Sequence, residues 1–152
     1  KKIPQGYQPF SADEKREILE INQLKFVPLI CYEIIYSGKI NPNKNYYDFI
    51  LNISEDGWFG KTIGPQQHLS HSIFRSIEEG KNVIRSTNNG ISAFVNPKGQ
   101  IIKQITEKGY FDVKKIKRVN KTYFAKYGNK IFFYFVLIYT TFIVILKIRE
   151  NK

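Results

Sequence analysis

The sequence predicts a layered α/β domain followed by one membrane-spanning helix. Three observations lead there. Short apolar segments run along the first hundred residues in the order strand, strand, helix, strand, strand, strand, with a competing helix near the start. Tight-turn signals, Thr87-Asn88-Asn89-Gly90 and Asn96-Pro97-Lys98-Gly99, separate the last three strands. Residues 131–146, IFFYFVLIYTTFIVIL, then run without a charge, a proline or a glycine.

The first element is contested. Ser11 with Glu14 forms a capping-box signature for a helix over residues 12–20. Against it, Asn22-Gln23 turns residues 17–21 back onto residues 25–31, KFVPLIC, and this hairpin is the favoured reading. Pro28 places that strand near an edge or a bulge. Residues 47–54 read as the next strand. The loop EDGWFGKTIGP follows, with three glycines, a proline and the only tryptophan, Trp58. A helix over residues 66–81 puts Leu69, Ile73, Phe74 and Ile77 on one face, with Gly80 in its last turn or at its end. Strands at 83–86, 91–95 and 100–105 complete the domain.

As a helix, residues 131–146 would be about 24 Å long, short of a bilayer core of about 30 Å. Extension to Tyr127 and Ile148 closes the gap, with Lys130 and Lys147 snorkelling to the two interfaces. Only Tyr127 sits where an interfacial aromatic belt would place it. The alternative is a buried hairpin or core helix, since β-branched and aromatic residues suit strands. A strand that long, with no turn signal inside it, would be exceptional.

The formal charge is +11, from 24 Lys and Arg against 13 Asp and Glu. The basic residues gather at Lys114, Lys115, Lys117, Arg118, Lys121, Lys126 and Lys130, directly ahead of the apolar run. That placement favours an anionic membrane surface over nucleic acid as the partner. One cysteine excludes an internal disulfide framework and a Cys-rich zinc site. A chain that starts Lys1-Lys2 and contains no methionine reads as a piece of a longer protein.

That cysteine, Cys31, closes the strand KFVPLIC, with Glu33 two positions on. A sharp turn after the strand would present the thiol among backbone N–H groups that lower its pKa and stabilise an oxyanion. A small buried hydrophobe is the alternative. His68 and His71 lie three apart on the helix, but two ligands do not make a metal site, and ordinary polar helix positions are expected. Gly57, Gly60 and Gly64 are not spaced as a phosphate loop. Trp58 and Phe59 form either core packing or a hydrophobic wall over a site.

Four stretches, ICYEI at 30–34, NISEDGWFGKTIGPQQHL at 52–69, RSIEEGKNVIRSTNNGISAFV at 75–95 and PKGQI at 97–101, resemble the nitrilase, or carbon–nitrogen hydrolase, superfamily. More narrowly they resemble its branch of apolipoprotein N-acyltransferases of bacterial inner membranes. KTYFAKYGNK ahead of the apolar run resembles that branch's passage into its last membrane span. The resemblance implies the C-terminal part of an αββα sandwich and a Glu-Lys-Cys catalytic set without a cofactor or a metal.

It makes Cys31 the nucleophile, the Tyr32 backbone N–H an oxyanion donor and Glu33 a supporting acid. Trp58 and Phe59 would line the loop where acyl chains or their carriers dock. The family's glutamate and lysine precede the cysteine and are expected upstream of this chain. The implied reaction moves an acyl chain from a phospholipid to a lipoprotein's terminal amine through a cysteine thioester. The catalytic domain would face the periplasm, with residues 1–125 in that domain, 126–148 in the span and 149–152 in a cytoplasmic tail. The piece alone is expected to be inactive and to aggregate without detergent. Two alternatives remain open: a carbon–nitrogen hydrolase with a membrane tail, and a non-catalytic membrane-anchored module.

Overall fold

A computed structural model describes residues 16–41, 43, 45–116 and 119–150. Six strands form one mixed sheet in sequence order. They are β1 (Leu19–Ile21), β2 (Leu24–Ile30), β3 (Phe49–Glu55), β4 (Asn82–Asn88), β5 (Ser92–Val95) and β6 (Ile101–Ile105). β2, β3 and β4 are parallel; the outer pairs are antiparallel. Two short 3-10 helices, Cys31–Ile35 and Gly57–Phe59, follow β2 and β3. Helix α1 (Gly64–Glu79) crosses from β3 to β4, and α2 (Tyr123–Tyr127) and α3 (Lys130–Glu150) end the chain.

The favoured hairpin forms. Asn22 and Gln23 have φ of 48° and 65°, both left-handed, as a two-residue turn that follows the strand twist requires. The competing helix is excluded at residues 19–20, which belong to β1; residues 12–15 lie outside the described residues. β1 pairs only with residues 24–26 of β2. Pro28, which lacks an N–H, therefore lies beyond the last rung on that side, and its carbonyl accepts from Arg16 Nη1 at 3.1 Å.

Strand register builds the core in rows. Val27, Ile50, Val83 and Val95 stand side by side, and the next row is Leu29, Asn52, Arg85 and Ala93. All are buried, and the apolar ones join Leu69 of α1 in one cluster. The second row carries two polar residues in the middle of the sheet. Across the pleat, Ile30, Ile53 and Ile102 are about half exposed, and Phe26 stacks on Phe49 at 5.3 Å. A one-sided sheet with an open apolar face is what one half of a four-layer αββα sandwich presents.

The sequence misplaces the buried face of α1. Phe74 and Ile77, assigned inward, are about half exposed, whereas His68, Ser72, Arg75, Ser76 and Glu79 are buried with Leu69. The helix turns a mostly polar face to the sheet because that face is occupied by hydrogen bonds and ion pairs. Arg75, for instance, donates to the Ile35 carbonyl at 2.9 Å and to Glu78 at 2.8 Å. Gly80 is the C-cap, left-handed at φ 63°.

Glu79 accepts from the Tyr47 hydroxyl at 2.6 Å, and Lys81 Nζ lies 5.2 Å from the ring centres of both Tyr46 and Tyr47. Burial raises the Glu79 carboxyl above its ordinary value of 4.5, against the hydrogen bond from Tyr47. The folded state therefore holds the proton more tightly than the unfolded chain. The stability this contributes is complete below about 4.5 and is lost as pH rises through the folded value. Glu79→Gln is expected to flatten that decline in denaturation curves taken from pH 4 upward. Identical slopes for variant and parent would contradict it.

Thr122 ties the C-terminal helices to α1. It donates to the Glu78 carbonyl and caps α2 by accepting from Ala125 N at 2.9 Å. Gly128 breaks the chain between α2 and α3. Tyr127 therefore closes α2 and does not belong to the apolar helix. The apolar helix instead starts at Lys130 and continues through Arg149 and Glu150, so residues 149–150 are helix. Its 21 residues correspond to about 32 Å, enough to cross a bilayer core, and none is buried.

Candidate active site

The expected sharp turn lies at the end of β2. Cys31 opens the 3-10 helix with φ 49°, a left-handed conformation that costs a non-glycine residue about 1–3 kcal/mol. Several side chains hold it there. Glu33 accepts from the backbone N–H of Ile30 at 2.7 Å and pairs with Arg16 at 3.3 Å, bracing the turn from outside. From inside, Asn52 Nδ2 donates to the carbonyls of Leu29 at 3.1 Å and Cys31 at 3.3 Å. His68 Nε2 lies 3.3 Å from the same Cys31 oxygen.

Behind these two sits a buried ionic cluster. His68 Nδ1 is 2.9 Å from Asp56 Oδ1. Arg85 Nη2 donates to both Asp56 oxygens, at 3.0 and 2.8 Å, its Nη1 donates to Asn52 Oδ1, and its Nε reaches the Ile91 carbonyl at 3.3 Å. Ser54 Oγ adds a bond to Asp56 at 3.2 Å. Asn52, Asp56, His68 and Arg85 are each at most 2% exposed. Burial pulls the Arg85 guanidinium below its ordinary value. Asp56 and, more weakly, the negative charge of a Cys31 thiolate hold it up. A buried cation therefore lies within electrostatic reach of the sulfur. Gly90 makes room for the cluster, since a Cβ there would lie 2.4 Å from Asp56 Oδ2.

The geometry orients one more group. In a trans peptide the N–H points opposite to the preceding C=O. With the Cys31 carbonyl held inward by Asn52 and His68, the Tyr32 N–H points outward. It belongs to the first turn of its helix, where N–H groups have no partner within the helix. The Tyr32 ring stacks on His68 at 5.1 Å and leans on Phe59 at 6.1 Å, and Phe59 meets His68 edge-on at 5.8 Å. Trp58, next to Phe59, is 87% exposed.

Cys31, Tyr32, Glu33 and Phe59 thus come together, with Trp58 on the outer side of the loop. Of the two histidines, His68 departs from its expected role as a plain polar helix residue. It is buried, and both ring nitrogens face acceptors. Asn52, Asp56 and Arg85 were not singled out from the sequence. Their signal was present as polar residues within or beside apolar strands, at FILNISE and NVIRSTN.

Residues 6–110 match the family described as carbon-nitrogen hydrolase, and the chain belongs to that family. The fold agrees. A CN-hydrolase superfamily protein from Xanthomonas campestris superposes with a TM-score of 0.50 at 16% identity, covering 82% of this chain and 50% of that one. An amidase from Nesterenkonia sp. does so with 0.50 at 18%, covering 69% and 45%. In sequence, the chain resembles proteins named apolipoprotein N-acyltransferase. The one from Rhizobium rhizogenes is 42% identical over 106 residues, 68% of this chain and 20% of the relative. That from Rickettsia bellii is 40% identical over 114 residues, 73% and 23%. That from Wigglesworthia glossinidia brevipalpis is 36% identical over 134 residues, 86% and 27%. The chain thus spans about a fifth to a quarter of the length of these relatives.

Proposed function

We propose that this chain is part of an apolipoprotein N-acyltransferase in which Cys31 carries the acyl group. One observation supports this above the others. The only sulfur in the chain is held at a strand end in a strained conformation, on a peptide whose carbonyl is gripped from within and whose next N–H points outward. Such a setting is unnecessary for a packed cysteine and suited to a nucleophile.

The thiol gives its proton to a carboxylate base, which the family resemblance places upstream of this chain together with the lysine. The thiolate attacks the ester carbonyl of a phospholipid, and the Tyr32 N–H donates to the oxygen as it gains charge. The carbon–oxygen bond breaks, and the lysophospholipid leaves after taking up the proton. In the second half, the terminal amine of a diacylglyceryl-modified lipoprotein attacks the thioester. An amide forms, and the thiol is restored. Dividing the transfer through a thioester lowers each barrier.

Glu33 supports the turn and is not the base: its carboxylate is engaged by Ile30 N and Arg16. Trp58 and Phe59 receive the acyl chain or its carrier. α3 anchors the domain in the bacterial inner membrane with the catalytic part on the periplasmic side. Lys114, Lys115, Lys121, Lys126 and Lys130 lie near anionic headgroups.

The test is a covalent trap. The full-length protein in detergent, given phospholipid with a radiolabelled fatty acid and no acceptor, is expected to retain label that hydroxylamine releases. The label should map to the peptide containing Cys31. Release of lysophospholipid without protein-bound label there would refute the proposal.

A further inference from the structure

Two side chains meet the Cys31 carbonyl, and they come from different elements. Asn52 reaches it from β3 while also serving Leu29, and His68 reaches it from α1. His68 is a costly choice for a mere packing residue. It is 2% exposed, its Nδ1 faces the Asp56 carboxylate, and its Nε2 faces a carbonyl. Both contacts are hydrogen bonds when each ring nitrogen carries a proton. Arg85 holds Asp56, and Tyr32 and Phe59 enclose the imidazole by ring contacts. The orientation of His68 is therefore set on every side, and what it delivers is one contact to the peptide between Cys31 and Tyr32.

We propose that His68 is a positioning residue for acylation: by holding the Cys31 carbonyl inward it fixes the Tyr32 N–H on the developing oxyanion. The proposal rests on the reading of Cys31 as nucleophile. Loss of the contact would leave the Cys31 carbonyl to Asn52 alone, which also serves Leu29, and the N–H would no longer be fixed where charge appears. The sulfur would keep its place at the strand end, where Glu33 still accepts from Ile30 N. The predicted signature is a split between two reactions of the same sulfur. Attack on an ester passes through an oxyanion, whereas displacement on iodoacetamide does not.

The test uses the full-length protein and two variants. The amide nitrogen of glutamine reaches about as far as Nε2 and can still donate to the Cys31 carbonyl. That of asparagine reaches only as far as Nδ1 and serves the Asp56 side. With p-nitrophenyl palmitate in single turnover, thiolate attack forms the thioester and releases p-nitrophenolate. His68→Gln is expected to acylate within about tenfold of the parent and His68→Asn about 100-fold more slowly, with iodoacetamide alkylation of Cys31 equal in the two variants.

Equal acylation by the two variants would overturn the proposal. So would a His68→Asn protein that melts early or loses alkylation in step with acylation, since either would make His68 only a structural brace. Failure of the underlying reading is distinct: in that case the unaltered protein acquires no acyl group on Cys31.

Discussion

Cys31→Ala in the full-length protein is expected to lower acyl transfer by at least about 10⁴-fold, because the covalent route disappears with the sulfur. Melting should hardly change. Cys31 is only partly buried, and the turn that carries it is held through its backbone, by Glu33, Asn52 and His68. Cys31→Ser keeps the shape and substitutes a much weaker nucleophile, so it too should form no acyl adduct under the same conditions. The measurement is lipoprotein acylation followed by mass shift, beside a thermal melt of each variant. A serine variant with full transfer would leave Cys31 only a packing role.

The second large effect is on stability. Asp56→Asn leaves the Arg85 guanidinium buried without its countercharge, and removing one partner of a buried pair costs about 3–5 kcal/mol. No second carboxylate takes its place among the hydrogen bonds of the described residues: besides Asp56, Arg85 donates to the Asn52 side-chain oxygen and the Ile91 carbonyl. The same variant turns a charge-assisted contact to His68 into a neutral one. Replacing both partners, Asp56→Leu with Arg85→Met, should recover only part of the stability: an apolar pair can match a buried ion pair, but His68 Nδ1 and Asn52 Oδ1 lose their buried partners. It should not recover acyl transfer, because Asn52 and His68 would have lost the groups that orient them. Denaturation of the three proteins in detergent checks this. A cost below about 1 kcal/mol for Asp56→Asn would mean the pair does not hold the cluster together.

The two residues at the centre of these predictions differ in how readable they were. Cys31 stood out because it is unique and ends an apolar strand beside a carboxylate. Arg85 did not, because a lone arginine within NVIRSTN reads as an ordinary polar position. Only the register, which sets it beside Asn52 and opposite Ala93 on the face that carries Val83, makes it a core residue. The hairpin at Asn22-Gln23, the turn at 96–99 and the helix ending at Gly80 were legible, because turn and cap conformations are local; the turn expected at 87–90 begins later, since Thr87 and Asn88 pair within β4. The buried side of α1 was not. Apolar periodicity assigned Phe74 and Ile77 inward, while the helix buries His68, Arg75 and Glu79 against partners distant in the chain. The start of α3 was missed by a few residues, because Gly128 separates Tyr127 from the apolar run although both sides are helical.

By itself the sequence determined the alternation of strands and helix, the apolar C-terminal helix and the candidate thiol at a strand end. These depend on neighbours a few residues apart, whose conformational preferences the chain carries locally. The tertiary structure alone decided which polar side chains surround that thiol. Asn52, Asp56, His68 and Arg85 meet because two adjacent parallel strands and the crossover helix between them bring them together. In a buried site, charges and amides persist only when such distant partners satisfy one another.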